Sequence, residues 1–136
     1  MHQGLRFDKF TAYLIMIFMD IESFHDYCLG KKKVEAGFPF ANLPGILVFK
    51  VAGKMFAATD VTLFASISIR CNPGTIDELR GLYPALQEPS YFSKRHWSRV
   101  IMDNTLPDHL LFKWIDESYE LAIGKLSKKM RAELGL

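Results

Sequence analysis

Apolar residues recur with a helical period at the two ends of this chain and with a strand period in its middle. From Asp20 onward they fall on one helical face, with Asp20 or Ser23 as the N-cap and Gly30 as the end. This spacing predicts a first helix. A loop rich in glycine and proline follows, and we expect its Phe38 and Phe40 to fold back onto the core.

The middle of the chain carries three strand signals. Two apolar runs, residues 46–51 and 54–59, flank Ala52-Gly53, which is typical of a two-residue hairpin turn. Ser66–Arg70 then alternates strictly between polar and apolar residues, which predicts a strand with one solvent-facing side. Together these strands predict an antiparallel meander.

Helical and strand patterns then alternate. Residues 75–82 predict a short helix that ends before Pro84, and residues 90–102 predict a hairpin that supplies strands four and five. We expect the short helix to direct three apolar side chains inward: Ile76, Leu79 and Leu82.

The last long helix begins after the hairpin. Asn104 or Thr105 is its expected cap, Pro107 lies near its first turn, and residues 128–134 form a terminal basic turn. Its buried stripe is expected to hold Leu110, Leu111, Trp114, Ile115, Ser118, Leu121 and Ala122.

This order of elements predicts an α+β fold in which helices pack on one face of an antiparallel sheet. The helical and strand pattern is complete from Asp20 onward, and we expect residues 19–136 to form a single domain. The apolar run before it is about half the length of a membrane-spanning helix. We interpret residues 1–18 as an N-terminal extension, with Met19 as the natural start, and expect them to be dispensable for folding. A signal peptide is the less favoured alternative, because Asp20 and Glu22 follow without a small-residue cleavage site.

Charge and cysteine content narrow the function classes only slightly. The net charge of +2 is too small to imply a polyanionic partner, so any case for nucleic acid depends on how the cations are clustered. Cys28 and Cys71 are far apart and match no metal-ligand spacing. We expect both to be reduced and structural, as in a cytoplasmic protein.

Cations cluster in the predicted hairpin. Lys94, Arg95 and Arg99 lie beside Tyr91 and Trp97, with no carboxylate among residues 90–101. Such a tip suits phosphate contacts and base stacking. A solvated turn anchored by Trp97 is the alternative, and composition alone favours it.

Familiar catalytic and cofactor motifs are missing from the sequence. There is no GxGxxG, phosphate-binding P-loop, CxxC or HExxH. The four histidines are scattered, and the paired carboxylates Asp77-Glu78 and Asp116-Glu117 are predicted on solvent-facing helix surfaces. We therefore expect neither an enzyme nor a bound cofactor or metal.

Several stretches, taken in order, resemble the MmcQ/YjbR family of small bacterial proteins. They are residues 20–29, Phe38-Pro39-Phe40, residues 47–57, residues 69–73, Lys94-Arg95-His96-Trp97, Leu106-Pro107-Asp108, residues 116–121 and residues 126–131. Among them, Lys94-Arg95-His96-Trp97 matches the Lys-Lys-His-Trp signature of the family. The chain departs from the family just before it, where Ser90-Tyr91-Phe92-Ser93 replaces Tyr-His-x-Asn.

The resemblance implies a CyaY-like (frataxin-like) α-β sandwich and a DNA-binding protein with a double wing. On this basis Lys94, Arg95 and Arg99 would contact phosphates, with His96 and either Tyr91 or Trp97 beside the bases. Three further cations, Lys128, Lys129 and Arg131, would extend the footprint. We expect Trp97 to be primarily structural. The alternative function is a protein-interaction or adaptor domain without a nucleic-acid role.

Overall fold

The computed structural model describes residues 19–136, and the expectation for residues 1–18 lies outside this range. Within it the helices are α1 (Ile21–Leu29), α2 (Ile76–Leu82), α3 (Asp108–Ile123) and α4 (Lys128–Leu134). The strands are β1 (Val34–Gly37), β2 (Ile46–Val51), β3 (Lys54–Asp60), β4 (Ser66–Arg70), β5 (Leu86–Gln87) and β6 (Trp97–Ile101).

The strands form one antiparallel sheet in the order β1-β2-β3-β4-β6-β5. The predicted meander is confirmed. Its first turn depends on Ala52 and Gly53, whose φ angles of 49° and 82° give the twist that a two-residue hairpin requires. The basic hairpin predicted at residues 90–102 is only partly correct: β6 is its second strand, but the partner β5 has two residues and precedes the predicted range. Residues 88–96 form the connection between these two strands. Strand β1 was not expected, so the sheet has six strands rather than five.

The main core lies between the sheet and the helices α1 and α3. Phe24 of α1 packs edge-on against Phe49 of β2, with ring centroids 5.5 Å apart, and both rings are fully buried. A smaller apolar cluster on the opposite sheet face consists of Ile46, Val48 and Ala58, covered by side chains from loops. The α+β prediction with helices on one face is confirmed.

Loop aromatics cover that second face only in part. Phe40 packs on the smaller cluster, but Phe38 is 56% exposed, so only one of the two expected aromatics folds back onto the core.

The helix ends follow local capping. The Asp20 carboxylate accepts a hydrogen bond from Ser23 N at 2.8 Å, and α1 ends at Gly30 as predicted. The expected cap of α3 was wrong. The Asp103 carboxylate accepts hydrogen bonds from both the N–H and the hydroxyl of Thr105, which forms a separate turn, and α3 begins only after Pro107.

Two further expectations near the helices need correction. Leu82 is 63% exposed rather than inward, because the short helix α2 ends there and packs mainly through Ile76. Residues 128–134 form helix α4 rather than a turn. Its N-cap Ser127 accepts a hydrogen bond from Met130 N, and Gly135 adopts the left-handed conformation at its end.

Both cysteines are free thiols, Cys28 buried and Cys71 half-buried. Among residues 19–136, the helices are too short or too polar to cross a membrane.

Candidate functional site

Two of the predicted cations, Lys94 and Arg95, lie together with His96 on a tight turn, Ser93–His96, that leads into β6. We call it the basic turn. The N–H groups of His96 and Trp97 both donate to the carbonyl of Ser93, at 3.1 and 2.9 Å. The side chains of Lys94, Arg95 and His96 are exposed. Within residues 19–136 the ion pairs are His25–Asp26 and Lys31–Asp116, so the cations of the basic turn face solvent without a carboxylate partner.

Arg80, at the end of α2, fixes the backbone of the basic turn. One guanidinium nitrogen donates to the carbonyl of Lys94 at 3.0 Å and to that of Trp97 at 2.7 Å. The same group bonds the buried hydroxyl of Ser98. Sequence reasoning missed this residue. Its only sequence signal is a cation in the last turn of a short helix, where solvent exposure is the ordinary expectation.

Strand β4 holds the turn from the other side. Cys71 N donates to the carbonyl of His96 at 2.8 Å. The guanidinium of Arg70 lies 4.9 Å from the ring centroid of Trp97, and its Nε donates to the carbonyl of Met55 at 2.6 Å. Partial burial lowers the pKa of Arg70, yet arginine stays protonated in proteins.

Trp97 supports the turn from below. It is only 5% exposed, and Phe92 stacks on it with ring centroids 4.4 Å apart. This burial agrees with the expectation that Trp97 is primarily structural. The exposed aromatic beside the turn is Tyr91, at 57% exposure.

Arg99 differs from the other hairpin cations. It is half-buried on the sheet face opposite the helices. Its guanidinium donates to the side-chain oxygen of Gln87 at 3.1 Å and to the carbonyl of Glu88 at 3.4 Å. These partners are uncharged, so they do not form an ion pair with Arg99. They do hold its side chain along the sheet.

The remaining predicted cations lie on α4. Lys128 and Lys129 are exposed and Arg131 is half-buried. The end of α4 is attached near the start of β1, because Lys32 Nζ donates to the carbonyl of Gly135 at 2.7 Å.

Strand register places the start of β1 and the basic turn at the same end of the sheet. Val34 pairs with Val51 at the end of β2, and Arg70 at the end of β4 pairs with Trp97. Between β1 and β6 lie four inter-strand steps, or about 19 Å at about 4.8 Å per step. The C-terminal end of α4 therefore lies near the same end of the sheet as the basic turn, with four inter-strand steps between β1 and β6.

A cavity of about 490 Å³ lies on the helix side of the sheet, between α2, α3 and β4. We call it the helix-side cavity. Its floor includes Ile69, Leu86 and Trp114, and Glu117 and Glu120 of α3 stand at its rim. Sequence reasoning did not anticipate it.

Among residues 19–136, no three His, Cys, Asp or Glu side chains lie together as metal ligands. Ser118 has a structural role, since its hydroxyl donates to the carbonyl of Phe56 at 2.5 Å and accepts from Arg70 N at 2.8 Å.

Comparison with known proteins relates the chain to small proteins of one kind. A family model described as YjbR matches residues 29–121. The uncharacterized protein YjbR of Escherichia coli K12 is 27% identical over 114 residues, which cover 83% of this chain and 95% of that protein. The uncharacterized protein YbdF of Escherichia coli O157:H7 is 26% identical over 117 residues, covering 82% and 93%.

Solved structures agree with this relationship. The crystal structure of Deinococcus radiodurans protein DR2400, with a domain described as DUF419, matches with a TM-score of 0.81 and 31% identity over 88% of this chain and 91% of that one. A Pseudomonas syringae protein matches with a TM-score of 0.65 at 20% identity over 76% of this chain and 99% of that one. The second match concerns the fold alone.

Proposed function

The chain belongs to the YjbR family, and we propose that this member is a non-enzymatic protein that binds DNA by its phosphate backbone at the basic turn. The observation that carries the proposal is the exposed set of Lys94, Arg95 and His96 on a turn whose carbonyls are held by Arg80 and Cys71. A cation that has no internal carboxylate partner does not have to break an ion pair before it contacts a phosphate.

The fixed backbone supports the proposal energetically. Ordering a loop on binding lowers affinity, so a turn that is already ordered retains more of its contact energy. The ring of Trp97 is already stacked on Phe92 below the turn. Tyr91 is therefore the exposed aromatic that can stack on an unpaired base.

The second group of cations extends the footprint. Lys128 and Lys129 are exposed and Arg131 is half-buried on α4, and the C-cap Gly135 of this helix accepts a hydrogen bond from Lys32, just before β1. We expect these cations to contact further phosphates and so to add to the salt dependence of binding. Such binding reads the backbone and not the bases. We propose a cytoplasmic location as well, because both Cys28 and Cys71 are free thiols and a reducing compartment would keep them so.

The test is binding of a fluorescently labelled random duplex, followed by anisotropy across a salt series. Each neutralised phosphate contributes about −0.9 to the slope of log affinity against log salt. The double substitution Lys94→Ala/Arg95→Ala should therefore reduce the slope by about two while leaving stability within about 0.5 kcal/mol, since both side chains are exposed.

A matched control separates this site from general charge. Arg95→Ala and Lys113→Ala each remove one exposed cation, but Lys113 lies on α3. Only the first should lower the slope, by about 0.9. No binding at about 50 mM salt, or a slope unchanged by the double substitution, would contradict the proposal.

A protein-interaction domain is the second candidate, favoured by exposed apolar side chains on the sheet face away from the helices. Leu63 is 77% exposed and lines the same surface cavity as Tyr91. If DNA binding fails, Leu63→Ser should abolish any concentration-dependent association seen in sedimentation velocity, whereas Leu82→Ser, at 63% exposure on α2, should not.

A further inference from the structure

The helix-side cavity has the size and preformed walls of a small-molecule site. Its volume of about 490 Å³ falls within the range of roughly 300–1,000 Å³ seen for ligand pockets. Ile69, Leu86 and Trp114 on its floor are all at most 6% exposed. A ligand would therefore meet apolar surface whose side chains are already fixed by the core.

Two packing features keep the cavity open. Tyr83, after α2, packs edge-on against Trp114 with ring centroids 5.2 Å apart, which separates α2 from α3. Arg80 is hydrogen bonded toward β6, and Leu82 points to solvent. Neither Arg80 nor Leu82 therefore fills the space that the Tyr83–Trp114 contact holds open.

The charge at the rim is negative. Asp116 is already bound by Lys31 and by Tyr27. Glu117 and Glu120 are exposed, lie on adjacent turns of one helix face, and take part in none of the ion pairs formed within residues 19–136. The cation among the lining residues is Arg70, whose guanidinium is held by Met55 and Trp97.

We propose that the helix-side cavity binds a small organic cation with an aromatic or aliphatic body, such as an arylalkylamine. The apolar floor takes the body, and Glu117 and Glu120 take the ammonium group at the rim. The proposal is independent of DNA binding, because it uses none of the cations of the basic turn.

Cys71 provides a direct report on occupancy. Cys71 is one of the residues that line the cavity, and burial raises the pKa of its thiol despite the opposing effects of Ser98 and Arg80. Cys28 is fully buried, and burial raises the pKa of its thiol to about 12. A neutral thiol reagent should therefore modify Cys71 first.

The experiment measures the rate of reaction of the full chain with dithiodipyridine at about pH 8, in the presence of either of two indole probes. Tryptamine carries an ammonium group at this pH, as lysine does, and indole-3-propionate carries a carboxylate on a similar body. We expect tryptamine to slow modification of Cys71 in a saturable way and indole-3-propionate to have at least tenfold lower apparent affinity.

Two variants test the rim. Glu117→Gln/Glu120→Gln should weaken tryptamine about tenfold, since each exposed ion pair is worth at most about fivefold. Glu22→Gln/Glu133→Gln removes the same charge on α1 and α4 and should leave the affinity unchanged. Equal protection by the two probes, no protection by tryptamine at millimolar concentration, or equal weakening in both double variants would overturn the proposal.

Discussion

The basic turn and the helix-side cavity meet at Arg70 and Cys71 but are stabilised by different interactions. The turn is convex, its cations are exposed, and its order comes from hydrogen bonds to backbone carbonyls. The cavity is concave, and its order comes from buried apolar side chains such as Leu86 and Trp114. One strand end can therefore support both an exposed charged surface and an apolar cavity, because hydrogen bonds order the first and buried side chains order the second.

The largest expected effect comes from removing the support beneath the basic turn. Trp97→Ala should lower the free energy of unfolding by about 3–5 kcal/mol, as for other buried aromatic truncations, because Trp97 is 5% exposed. Urea denaturation measures this loss. Tyr91→Ala is the control and should change stability by no more than about 0.5 kcal/mol, since Tyr91 is exposed. An equally stable Trp97 variant would mean that the indole does not support the turn.

The next effect should reach both regions at once. Ser118 of α3 joins the helix to Phe56 of β3 and Arg70 of β4. Ser118→Ala leaves one buried carbonyl and one N–H without this partner, at about 1–3 kcal/mol each, so we expect a loss of about 2–4 kcal/mol in thermal or urea unfolding. A change below about 0.5 kcal/mol would show that the two regions do not share this anchor.

A smaller effect should separate the regions. Arg80→Met removes the donors that hold the basic turn, and hydrogen bonds of charged groups contribute about 1.5–3 kcal/mol. We expect faster hydrogen exchange at the amides of residues 96–98 and weaker DNA binding, with the Cys71 reactivity assay still selecting tryptamine. Arg80→Lys tests the fork geometry, because an ammonium group cannot contact two carbonyls and a hydroxyl in the same way. Unchanged exchange would contradict the role of Arg80.

The smallest effect concerns Asp116, the carboxylate beside the cavity that already binds Tyr27 and Lys31. Burial, helped by the hydrogen bond to Asp116, raises the pKa of Tyr27 to about 12. The folded chain thus holds this proton more tightly than the unfolded chain, and the resulting stability is complete below about pH 10 and lost as the pH rises toward 12. Tyr27→Phe should cost about 1 kcal/mol near pH 8, and the difference from the wild type should shrink above pH 10. A difference that stayed constant to about pH 11.5 would contradict this.

The fold was predictable where local signals and tertiary packing agree. Ala52-Gly53 and the alternation of Ser66–Arg70 specify a turn and a strand from adjacent residues alone, and both are present. Strand β1 was missed because Val34–Gly37 is short, holds a single large apolar residue and buries neither face in alternation, and it pairs only with β2 at the sheet edge. The start of α3 was misplaced because Asp103 competes for the Thr105 N–H.

The site was predictable in composition but not in geometry. The cluster of Lys94, Arg95 and His96 is visible in the sequence, and the structure exposes all three. Arg80 could not be assigned, because its acceptors lie 14 to 18 residues away and no local pattern encodes that distance. The helix-side cavity depends on the spacing of two helices, which periodicity does not describe.

The hydrogen bonds of Arg80 also affect whether two copies of this protein can associate through the edge of β6. Strand β5 pairs only with Arg99 and Val100 of β6, so the first part of β6 would otherwise present an unpaired edge. Ser93 O accepts from Trp97 N, and Arg80 takes the Trp97 carbonyl, which leaves little for a foreign strand to pair with. Unprotected edges of this kind template aggregation. The guanidinium of Arg80 thus occupies a position that a pairing strand would take and disfavours edge-to-edge addition at this edge of the sheet.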